Sequence, residues 1–245
     1  MLNILLPMAG RGSRFANAGY KDPKPFILIN QKPMIQIVVE NLKPKGVESR
    51  FIFICQKAHL DKYKGRELLK KLAPGCVIIE IDQITDGQLS SAMLAEGVVD
   101  NEEPLLTANT DQYIDFDFSS YLKNLLSSDL DGSILTMEGN DPKWSYVRTS
   151  SDNNLVIQTA EKEVISNEAT VGVYFFKKGS DFCEASKNSM REIDKVNGEF
   201  YICPVYNYLI KRGKKIGHER IRGMYGLGTP EDLNFFLSQK ISEKI

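Results

Sequence analysis

The stretch ILLPMAGRGSRF, residues 4–15, decides the fold class of this chain. Its first residues form an apolar run typical of a buried parallel strand, and the run leads directly into a glycine-rich turn. Glycine accepts positive φ and lets a ligand approach the backbone, and successive free N–H groups in such a turn form an anion-binding concavity. Arg14 adds a planar guanidinium that suits phosphate oxygens. The stretch therefore predicts a strand that ends in a phosphate-binding loop, with a tight structural turn as the alternative.

Two better-known nucleotide motifs do not fit this turn. A P-loop requires G-x-x-x-x-G-K-[ST], whereas here the second glycine comes too early and no lysine follows it. A dinucleotide fingerprint requires a third glycine where Phe15 stands. Lys24 nevertheless strengthens the phosphate interpretation, because Pro23 and Pro25 stiffen the backbone on both sides of it and fix the direction of its side chain.

Strand-like and helical segments alternate through the first half of the chain, as in parallel βαβ units. The predicted strands there are 3–7, 50–55, 77–81 and 104–108, and the predicted helices are 34–42, 61–72, 88–98 and 119–126. Strands dominate the middle of the second half. Its predicted strands are 132–137, 145–149, 155–160 and 170–176, and its predicted helices are 181–191, 200–211 and 230–239. We predict that the second half extends the same sheet and forms a lid over its edge.

The overall composition excludes some partners. The chain has 245 residues, 42% of them hydrophobic, and its 31 Lys and Arg nearly balance its 32 Asp and Glu. A protein that binds nucleic acid through phosphate contacts usually has a basic excess, so we predict no nucleic-acid partner. Arg11, Arg14, Lys21 and Lys24 form a local basic group that is better suited to a small polyanion.

The N-terminal residues 1–10 lack the basic start and long apolar stretch of a signal peptide. No run approaches the roughly 20 apolar residues of a membrane span. The four cysteines show no CxxC spacing, which favours reduced thiols over a zinc or redox site. We therefore predict a cytoplasmic protein without a membrane partner.

Gly10-x-Gly12-Ser13-Arg14, followed by Pro23-Lys24-Pro25-Phe26-Ile27, resembles the signature of the sugar-phosphate nucleotidyltransferases, or pyrophosphorylases. Further segments resemble this family in the same order along the chain: 82–92, 105–111, 161–174, 197–201 and 228–233. Within the family the chain looks most like enzymes that make bacterial capsule and lipopolysaccharide precursors, some of which are cytidylyltransferases.

This resemblance implies an α/β fold with a Rossmann-like mixed sheet of the type-A glycosyltransferase and nucleotidyltransferase kind. It implies a single domain over 1–245, with a nucleotide-binding half at 1–130 and an acceptor-binding half at 131–245. The implied reaction transfers NMP from an NTP to a phosphorylated small acceptor and releases pyrophosphate. CTP is favoured by resemblance alone, because an amide such as that of Gln83 or Gln88 can pair with almost any base. A homodimer remains an open expectation.

Phosphoryl chemistry leaves a protein mainly positioning and charge neutralisation. Arg14, Lys24 and Asp111 are the predicted catalytic residues: Arg14 for the β- and γ-phosphates, Lys24 for the α-phosphate and Asp111 for Mg²⁺. Asp111 follows an apolar strand, so we expect it at the carboxyl end of that strand, where open α/β sheets bind ligands. On the residues alone, a helix cap or a turn former is an equal alternative for this aspartate.

The remaining predicted site residues fall into two groups. The predicted nucleotide-binding residues are Met8, Ala9, Gly10, Arg11, Gly12, Ser13, Gln83, Gly87, Gln88 and Asn109. The predicted acceptor-binding residues are Tyr146, Glu161, Asn167 and Glu199.

One position departs from the family pattern. Many relatives place a second metal-binding aspartate two residues before a Gly-Thr pair near the C-terminus, where this chain has Gly226. Glu199 or Asp115 could take its place. Two alternative functions follow from these features. Asp115-Phe116-Asp117 superficially matches the metal motif of a glycosyltransferase that uses a nucleotide sugar, and Gly226 supports a non-catalytic binding module.

Overall fold

The computed structural model describes residues 1–245, except for the side chain of Lys244. The elements of the first half are, in chain order, β1 (Leu2–Pro7), α1 (Ser13–Asn17), β2 (Leu28–Ile29), β3 (Lys32–Pro33), α2 (Met34–Leu42), β4 (Ser49–Gln56), α3 (Lys57–Lys62), α4 (Gly65–Leu72), β5 (Val77–Ile81), α5 (Gln88–Met93), α6 (Glu96–Val99), β6 (Leu105–Ala108), β7 (Gln112–Ile114) and α7 (Phe118–Ser127). Those of the second half are β8 (Gly132–Glu138), β9 (Ser145–Thr149), β10 (Val156–Glu161), β11 (Glu168–Phe176), α8 (Gly179–Arg191), α9 (Val205–Lys211), β12 (Ile216–Arg220), β13 (Met224–Gly226) and α10 (Pro230–Ser238). Short 3₁₀ turns lie at Lys24–Phe26 and Lys240–Lys244.

One mixed sheet runs through both halves of the chain. Its main path is β10-β9-β11-β6-β1-β4-β5, and β8 pairs with both β11 and β12. Strands β6, β1, β4 and β5 are mutually parallel, whereas β11 runs antiparallel to β6, β8 and β9. The predicted α/β fold with a mixed sheet is therefore confirmed, and the second half does extend the sheet of the first.

The alternation of side chains along β1 explains why this strand is apolar throughout. Ile4 and Leu6 face a core shared with α2, α4 and α7, while Leu5 faces a core shared with α5, α8 and α9. All three side chains are fully buried. Successive residues of a strand point to opposite faces, so a parallel strand covered by helices on both faces must be apolar at every position.

A third apolar cluster connects the glycine-rich turn to the C-terminal part of the chain. Phe15 of α1 packs there with Ile27 and Met34 and with Leu233 and Phe236 of α10. Beside it, β13 pairs antiparallel with β7. This packing brings residues 226–228 next to the segment that follows β6.

Several predicted helices are shorter than expected. The helix predicted at 61–72 is divided into α3 and α4 by Lys64, which has a left-handed backbone with φ 49°. The helix predicted at 88–98 is divided into α5 and α6, and the one predicted at 200–211 begins only at Val205. The short strands β2, β3, β7, β12 and β13 were not predicted, because two to five residues carry too little periodic signal. No helix in the described part of the chain has the length and apolar character needed to cross a membrane.

Candidate active site

The carboxyl ends of β1 and β6 open onto a cleft of about 640 Å³. The cleft is lined by Pro7, Ala9, Gly10, Arg11, Gly12, Ser13, Arg14, Lys24, Ile84, Thr85, Asp86, Gly87, Gln88, Ser91, Asp111, Gly198, Glu199 and Gly228. Open α/β sheets bind ligands at this position. The three predicted catalytic residues and most of the predicted nucleotide-binding residues therefore share one cavity.

The loop at residues 8–12 forms the floor of this cleft. Gln56, at the end of β4, donates its side-chain amide to the carbonyl oxygens of Ala9 (2.8 Å) and Gly10 (3.2 Å) and so fixes the loop from below. In the described part of the chain, the backbone N–H groups of Gly10, Arg11 and Gly12 donate to no protein acceptor. Adjacent unsatisfied N–H groups that face a cavity form an anion-binding site.

Gly12 cannot be replaced by a larger residue without strain. Its backbone is left-handed, with φ 62°, and a Cβ built on it would lie 3.3 Å from the Cβ of Lys24. The glycine therefore permits both the turn of the loop and the close approach of Lys24. The early second glycine, which excludes a P-loop, is thus the residue that lets Lys24 lie beside the loop.

Lys24 and Asp111 form an ion pair inside the cleft. Lys24 Nζ donates to Asp111 Oδ2 at 2.9 Å, and both side chains are partly buried. Burial alone would raise the pKa of Asp111, but the charge and hydrogen bond of Lys24 and the nearby charge of Arg14 outweigh it and hold this pKa below its usual value. Asp111 is therefore ionised at neutral pH.

The segment after β13 closes over Asp111. The backbone N–H of Leu227 donates to the carbonyl oxygen of Asp111 at 2.7 Å, and a Cβ on Gly228 would lie 2.6 Å from Asp111 Oδ2. A glycine at position 228 is therefore required by the space that the carboxylate occupies. Gly226, where the family resemblance led us to expect an aspartate, faces the carboxyl group of Asp232, whose Cγ would lie 3.1 Å from a Cβ at that position.

These donors restrict the kind of metal site that the cleft can offer. No group of three or more His, Cys, Asp or Glu side chains within the described residues is arranged to hold a metal ion. Mg²⁺ is commonly held by one or two carboxylates, with water and substrate phosphates as its other ligands. The cleft fits a cation of that kind, because it offers the ionised Asp111 beside an anion-binding loop.

The loop before α5 is bound to the segment at residues 195–200. Phe200 N–H donates to the carbonyl oxygen of Asp86 (3.0 Å), and Leu89 N–H donates to the carbonyl oxygen of Phe200 (3.1 Å). Gly87 has φ 117°, and a Cβ there would lie 2.4 Å from Phe200 O. Lys195 Nζ pairs with Asp86 Oδ2 at 2.6 Å and, with Ser90, lowers the pKa of this aspartate. Backbone hydrogen bonds and an ion pair thus join the loop at residues 86–89 to the segment at residues 195–200.

Asn109 lies behind Gln88 rather than in the cleft wall. Gln88 Nε2 donates to Asn109 Oδ1 at 2.7 Å, and Asn109 N–H donates to the carbonyl oxygen of Gly172 at 2.9 Å. Gly172 has φ 66°, and a Cβ there would lie only 2.1 Å from Asn109 Nδ2. Asn109 therefore fixes the amide of Gln88, which does line the cleft.

A second polar network begins at Glu199. Tyr201 donates its hydroxyl to Glu199 (2.8 Å) and accepts from Lys162 Nζ (2.5 Å). Ser145 donates to the carboxylate of Glu161, and burial nevertheless raises the pKa of this glutamate. Glu161 and Glu199, both predicted as acceptor-binding residues, thus lie in one region together with the lysine that follows Glu161.

Several predicted site residues lie elsewhere. Tyr146 was predicted to bind the acceptor, but it is fully buried and its hydroxyl donates to the carbonyl oxygen of Asp141, so it is a core residue. The side chain of Met8 lies in the core shared with α2. Gln83 and Asn167 are exposed, and neither is among the described residues that line the cleft.

The Asp115-Phe116-Asp117 segment also lies apart from the cleft. Asp117 is the N-cap of α7, where its side chain accepts from the N–H groups of Ser119 and Ser120. The ring of Phe116 packs edge-on against Phe118. Asp115 directly follows β7 and is not among the described cleft-lining residues, whereas Glu199, the other candidate for a second carboxylate, lines the cleft.

Sequence reasoning missed some residues of the site. Lys162 and Tyr201 were not selected, although both lie in segments that resemble the family. Four further residues, Thr85, Asp86, Ser91 and Gly228, line the cleft itself. Their only signal was their position within those segments, since Thr, Asp, Ser and Gly are ordinary residues in loops and at helix starts.

A second cavity, of about 620 Å³, lies on the outside of the segment at residues 192–195. It is lined by Ile157, Gln158, Glu192, Ile193, Asp194, Lys195, Asn207, Tyr208, Ile210 and Lys211. No predicted site residue belongs to this set. The chemistry of the chain is therefore concentrated in the cleft at the ends of β1 and β6.

Comparison with known proteins gives matches over most of the chain. A family model described as "Nucleotidyl transferase" matches residues 3–216. The bifunctional protein GlmU of Methanocaldococcus jannaschii is 26% identical over 253 residues, which covers 100% of this chain and 56% of that protein. The mannose-1-phosphate guanylyltransferase catalytic subunit beta of Danio rerio is 24% identical over 178 residues, 71% of this chain and 49% of that protein. This chain thus spans about half the length of these curated relatives.

One solved structure is matched over its full length, unlike the curated relatives. The nucleoside-diphosphate-sugar pyrophosphorylase from Vibrio cholerae RC9 has a TM-score of 0.81 and 26% identity to this chain. The match covers 96% of this chain and 100% of that one.

Proposed function

The chain belongs to the nucleotidyl transferase family, as its sequence motifs predicted, and we propose that it transfers NMP from an NTP to a phosphorylated small acceptor. The observation that carries this proposal is the cleft itself. It combines a loop with three free N–H groups, a partly buried Lys24–Asp111 pair and the guanidinium of Arg14. Such a set suits a triphosphate rather than a nucleotide that is already joined to a sugar.

In the proposed reaction, an oxygen of the acceptor phosphate forms a bond to the α-phosphorus of the NTP. The bond between the α-phosphorus and the bridging oxygen breaks, and pyrophosphate leaves with the electron pair. The loop N–H groups and Arg14 hold the β- and γ-phosphates, and Lys24 neutralises charge near the α-phosphate. Positioning and charge neutralisation of this kind provide most of the catalysis in phosphoryl transfer.

We also propose that Mg²⁺ takes part and that Asp111 holds it. When bound, the ion would supply positive charge that offsets the charge of the phosphates. The ionised carboxylate of Asp111, which lines the cleft beside the loop, supports this assignment.

The acceptor is proposed to bind beside Glu199. Lys162 supplies a positive charge for its phosphate, and Glu161 and Glu199 supply hydrogen-bond acceptors for its hydroxyl groups. A sugar phosphate is the favoured class, since the guanylyltransferase relative carries mannose-1-phosphate in its name.

Four further proposals come from the sequence analysis alone. They are CTP as the donor, a precursor for capsule or lipopolysaccharide as the product, a cytoplasmic location and a homodimer. CTP is the first nucleotide to test, since the resemblance extends to cytidylyltransferases.

The test is pyrophosphate release from each of the common NTPs in the presence of Mg²⁺ and a panel of sugar phosphates and other small phosphomonoesters. We expect one NTP and one acceptor class to give release that depends on both substrates and is lost in Arg14→Ala. The absence of release from every pair, together with unchanged NTP binding in Asp111→Ala, would falsify the proposal. Transfer from a nucleotide sugar without pyrophosphate would instead favour a glycosyltransferase.

A further inference from the structure

The carboxylate proposed to bind the metal already has a cationic partner within the protein. Lys24 Nζ lies 2.9 Å from Asp111 Oδ2, and the charge of Arg14 also acts on Asp111. A divalent cation that enters the cleft alone must therefore displace an ammonium group and approach a second positive charge. A carboxylate neutralised in this way is a weaker ligand than a free one.

The chain provides little to offset this competition. No group of three ligating side chains exists within the described residues, and position 226, which precedes the segment over Asp111, is a glycine without a ligand to offer. Mg²⁺ sites with few carboxylates rely on substrate phosphates for the remaining ligands. Without a triphosphate, each carboxylate among the described cleft-lining residues already has a partner: Lys24 for Asp111, Lys195 for Asp86 and the Tyr201 hydroxyl for Glu199.

The backbone of Lys24 is fixed, whereas its ammonium group lies at the end of a flexible four-carbon stem. Pro23 and Pro25 flank it, it begins a 3₁₀ turn, and its Cβ lies against Gly12. Its ammonium group also lines the cleft, beside the N–H groups of the loop. A triphosphate bound to that loop offers the ammonium a new anionic partner without any movement of the backbone.

We propose that Lys24 is a resident counterion of Asp111, and that this chain takes up a divalent cation only together with the triphosphate. This inference rests on the proposed function. The arriving triphosphate attracts Lys24, Asp111 becomes available to the metal, and the phosphate oxygens complete the coordination. Metal and triphosphate then bind with positive coupling, which must be equal in both directions. Lys24 thus sets the order of assembly of the site as well as the charge near the α-phosphate.

The main experiment measures Mn²⁺ binding to the full chain without nucleotide, by the loss of the free-ion EPR signal. We expect weak binding by the wild type and at least ~10-fold tighter binding by Lys24→Met, because a unit positive charge next to the ligand is removed. The gain must disappear in the double variant Lys24→Met/Asp111→Asn. Lys71→Met removes the same charge from an exposed lysine of α4 that does not line the cleft, and it should bind Mn²⁺ like the wild type.

A thermal-shift measurement tests the coupling, with inorganic tripolyphosphate as a probe that carries no base. In the wild type, Mg²⁺ alone should not raise the melting temperature, and the two ligands together should raise it by more than the sum of their separate effects. In Lys24→Met, Mg²⁺ alone should raise it. The melting temperatures without ligand and circular dichroism show whether each variant is folded, and Lys24→Gln serves as a second variant if Lys24→Met is not.

Equal Mn²⁺ affinity in the wild type and in both folded Lys24 variants would overturn the proposal. A gain that persists after Asp111→Asn would do the same, and so would additive effects of Mg²⁺ and tripolyphosphate. None of these measurements uses an NTP or an acceptor. A failure of the resident-counterion proposal can therefore be separated from a failure of the proposed reaction.

Discussion

Both sides of the cleft contain residues with positive φ, but the residue types differ. We call the loops at residues 8–14 and 84–88 the nucleotide side, and the segments at residues 161–162 and 193–201 the acceptor side. On the nucleotide side, positive φ occurs at glycines: Gly12 with φ 62° and Gly87 with φ 117°. On the acceptor side, it occurs at Gly198 with φ 82° but also at residues with side chains: Lys162 with φ 56°, Asn197 with φ 52° and, in the segment just before, Ile193 with φ 55°. Glycine adopts this conformation without cost, whereas other residues, β-branched ones above all, do so only when surrounding contacts hold them. The acceptor side therefore depends more on its surroundings than the nucleotide side does.

The largest effect should come from the nucleotide side. Asp111→Asn keeps the shape of the side chain and removes its charge, so kcat/KM for the NTP should fall by at least ~10²-fold, as when other preorganised charged groups are removed from active sites. Pyrophosphate release under saturating acceptor measures it. Asp117→Asn is the matched control, since asparagine caps a helix as well as aspartate does and α7 should remain intact. Comparable losses in the two variants would show that Asp111 has no special role.

A smaller and selective effect is expected on the acceptor side. Lys162→Met removes the ammonium group that donates a hydrogen bond to the Tyr201 hydroxyl. A charge-assisted hydrogen bond contributes about 1.5–3 kcal/mol, so kcat/KM for the acceptor should fall roughly 10–100-fold. KM for the NTP should stay unchanged. If the NTP kinetics change as much as those of the acceptor, the division of the cleft into two sides is wrong.

The pH dependence of stability should distinguish the two sides further. Burial raises the pKa of Glu161, and a carboxyl with a raised folded pKa contributes stability below its unfolded pKa and loses it as pH rises through the folded pKa. Glu161→Gln, which can still accept from Ser145, should therefore raise the free energy of unfolding near neutral pH by about 1 kcal/mol or less. Below about pH 4, where the wild-type carboxyl is protonated in both states, the gain should vanish. Urea titrations at both pH values check this, and a gain that is independent of pH would contradict it.

Asp111 should behave in the opposite way, because its pKa is lowered. The stability that its pairing with Lys24 provides is present above the unfolded pKa and is lost only as pH falls through the lower folded pKa. Asp111→Asn should therefore lower the free energy of unfolding at neutral pH but not in strong acid.

The smallest effect is expected at Ile193, whose side chain is 71% exposed. A left-handed conformation costs a β-branched residue about 1–2 kcal/mol, and the greater unfolded-state entropy of glycine cancels part of that gain. Ile193→Gly should therefore raise the free energy of unfolding by roughly 0.5 kcal/mol. Ile193→Val keeps the strain and should give no gain. Urea denaturation measures both, and a loss of stability in Ile193→Gly would show that the side chain makes a contact worth more than the strain.

The contrast between the nucleotide side and the acceptor side also explains how much of the site could be predicted from the sequence. Glycines, prolines and apolar runs are local signals, and they correctly predicted β1, the loop after it and the parallel strands. Lys162 and Tyr201 carry no such signal, because their role depends on β10 and the segment after α8 meeting in space. Tyr146 was misassigned for the complementary reason: an aromatic residue in a strand looks the same whether its ring enters a pocket or the core.

The predicted helix boundaries were wrong where the chain turns without a clear break in its apolar pattern. Lys64, for example, ends one helical segment through a left-handed backbone that a lysine does not predict. The site residues at the carboxyl ends of strands were easier to place, since the topology of a parallel sheet brings those ends to one edge.

The bonds between Phe200 and the loop at residues 86–89 have a practical consequence for engineering. Exchange of residues 84–88 for those of a relative would leave the new loop bound to the Phe200 backbone of this chain, with Lys195 facing whatever residue replaces Asp86. A successful transplant must therefore include residues 195–200. For the same reason, sequence changes in one of these two segments are expected to constrain changes in the other, so that the two evolve as a pair.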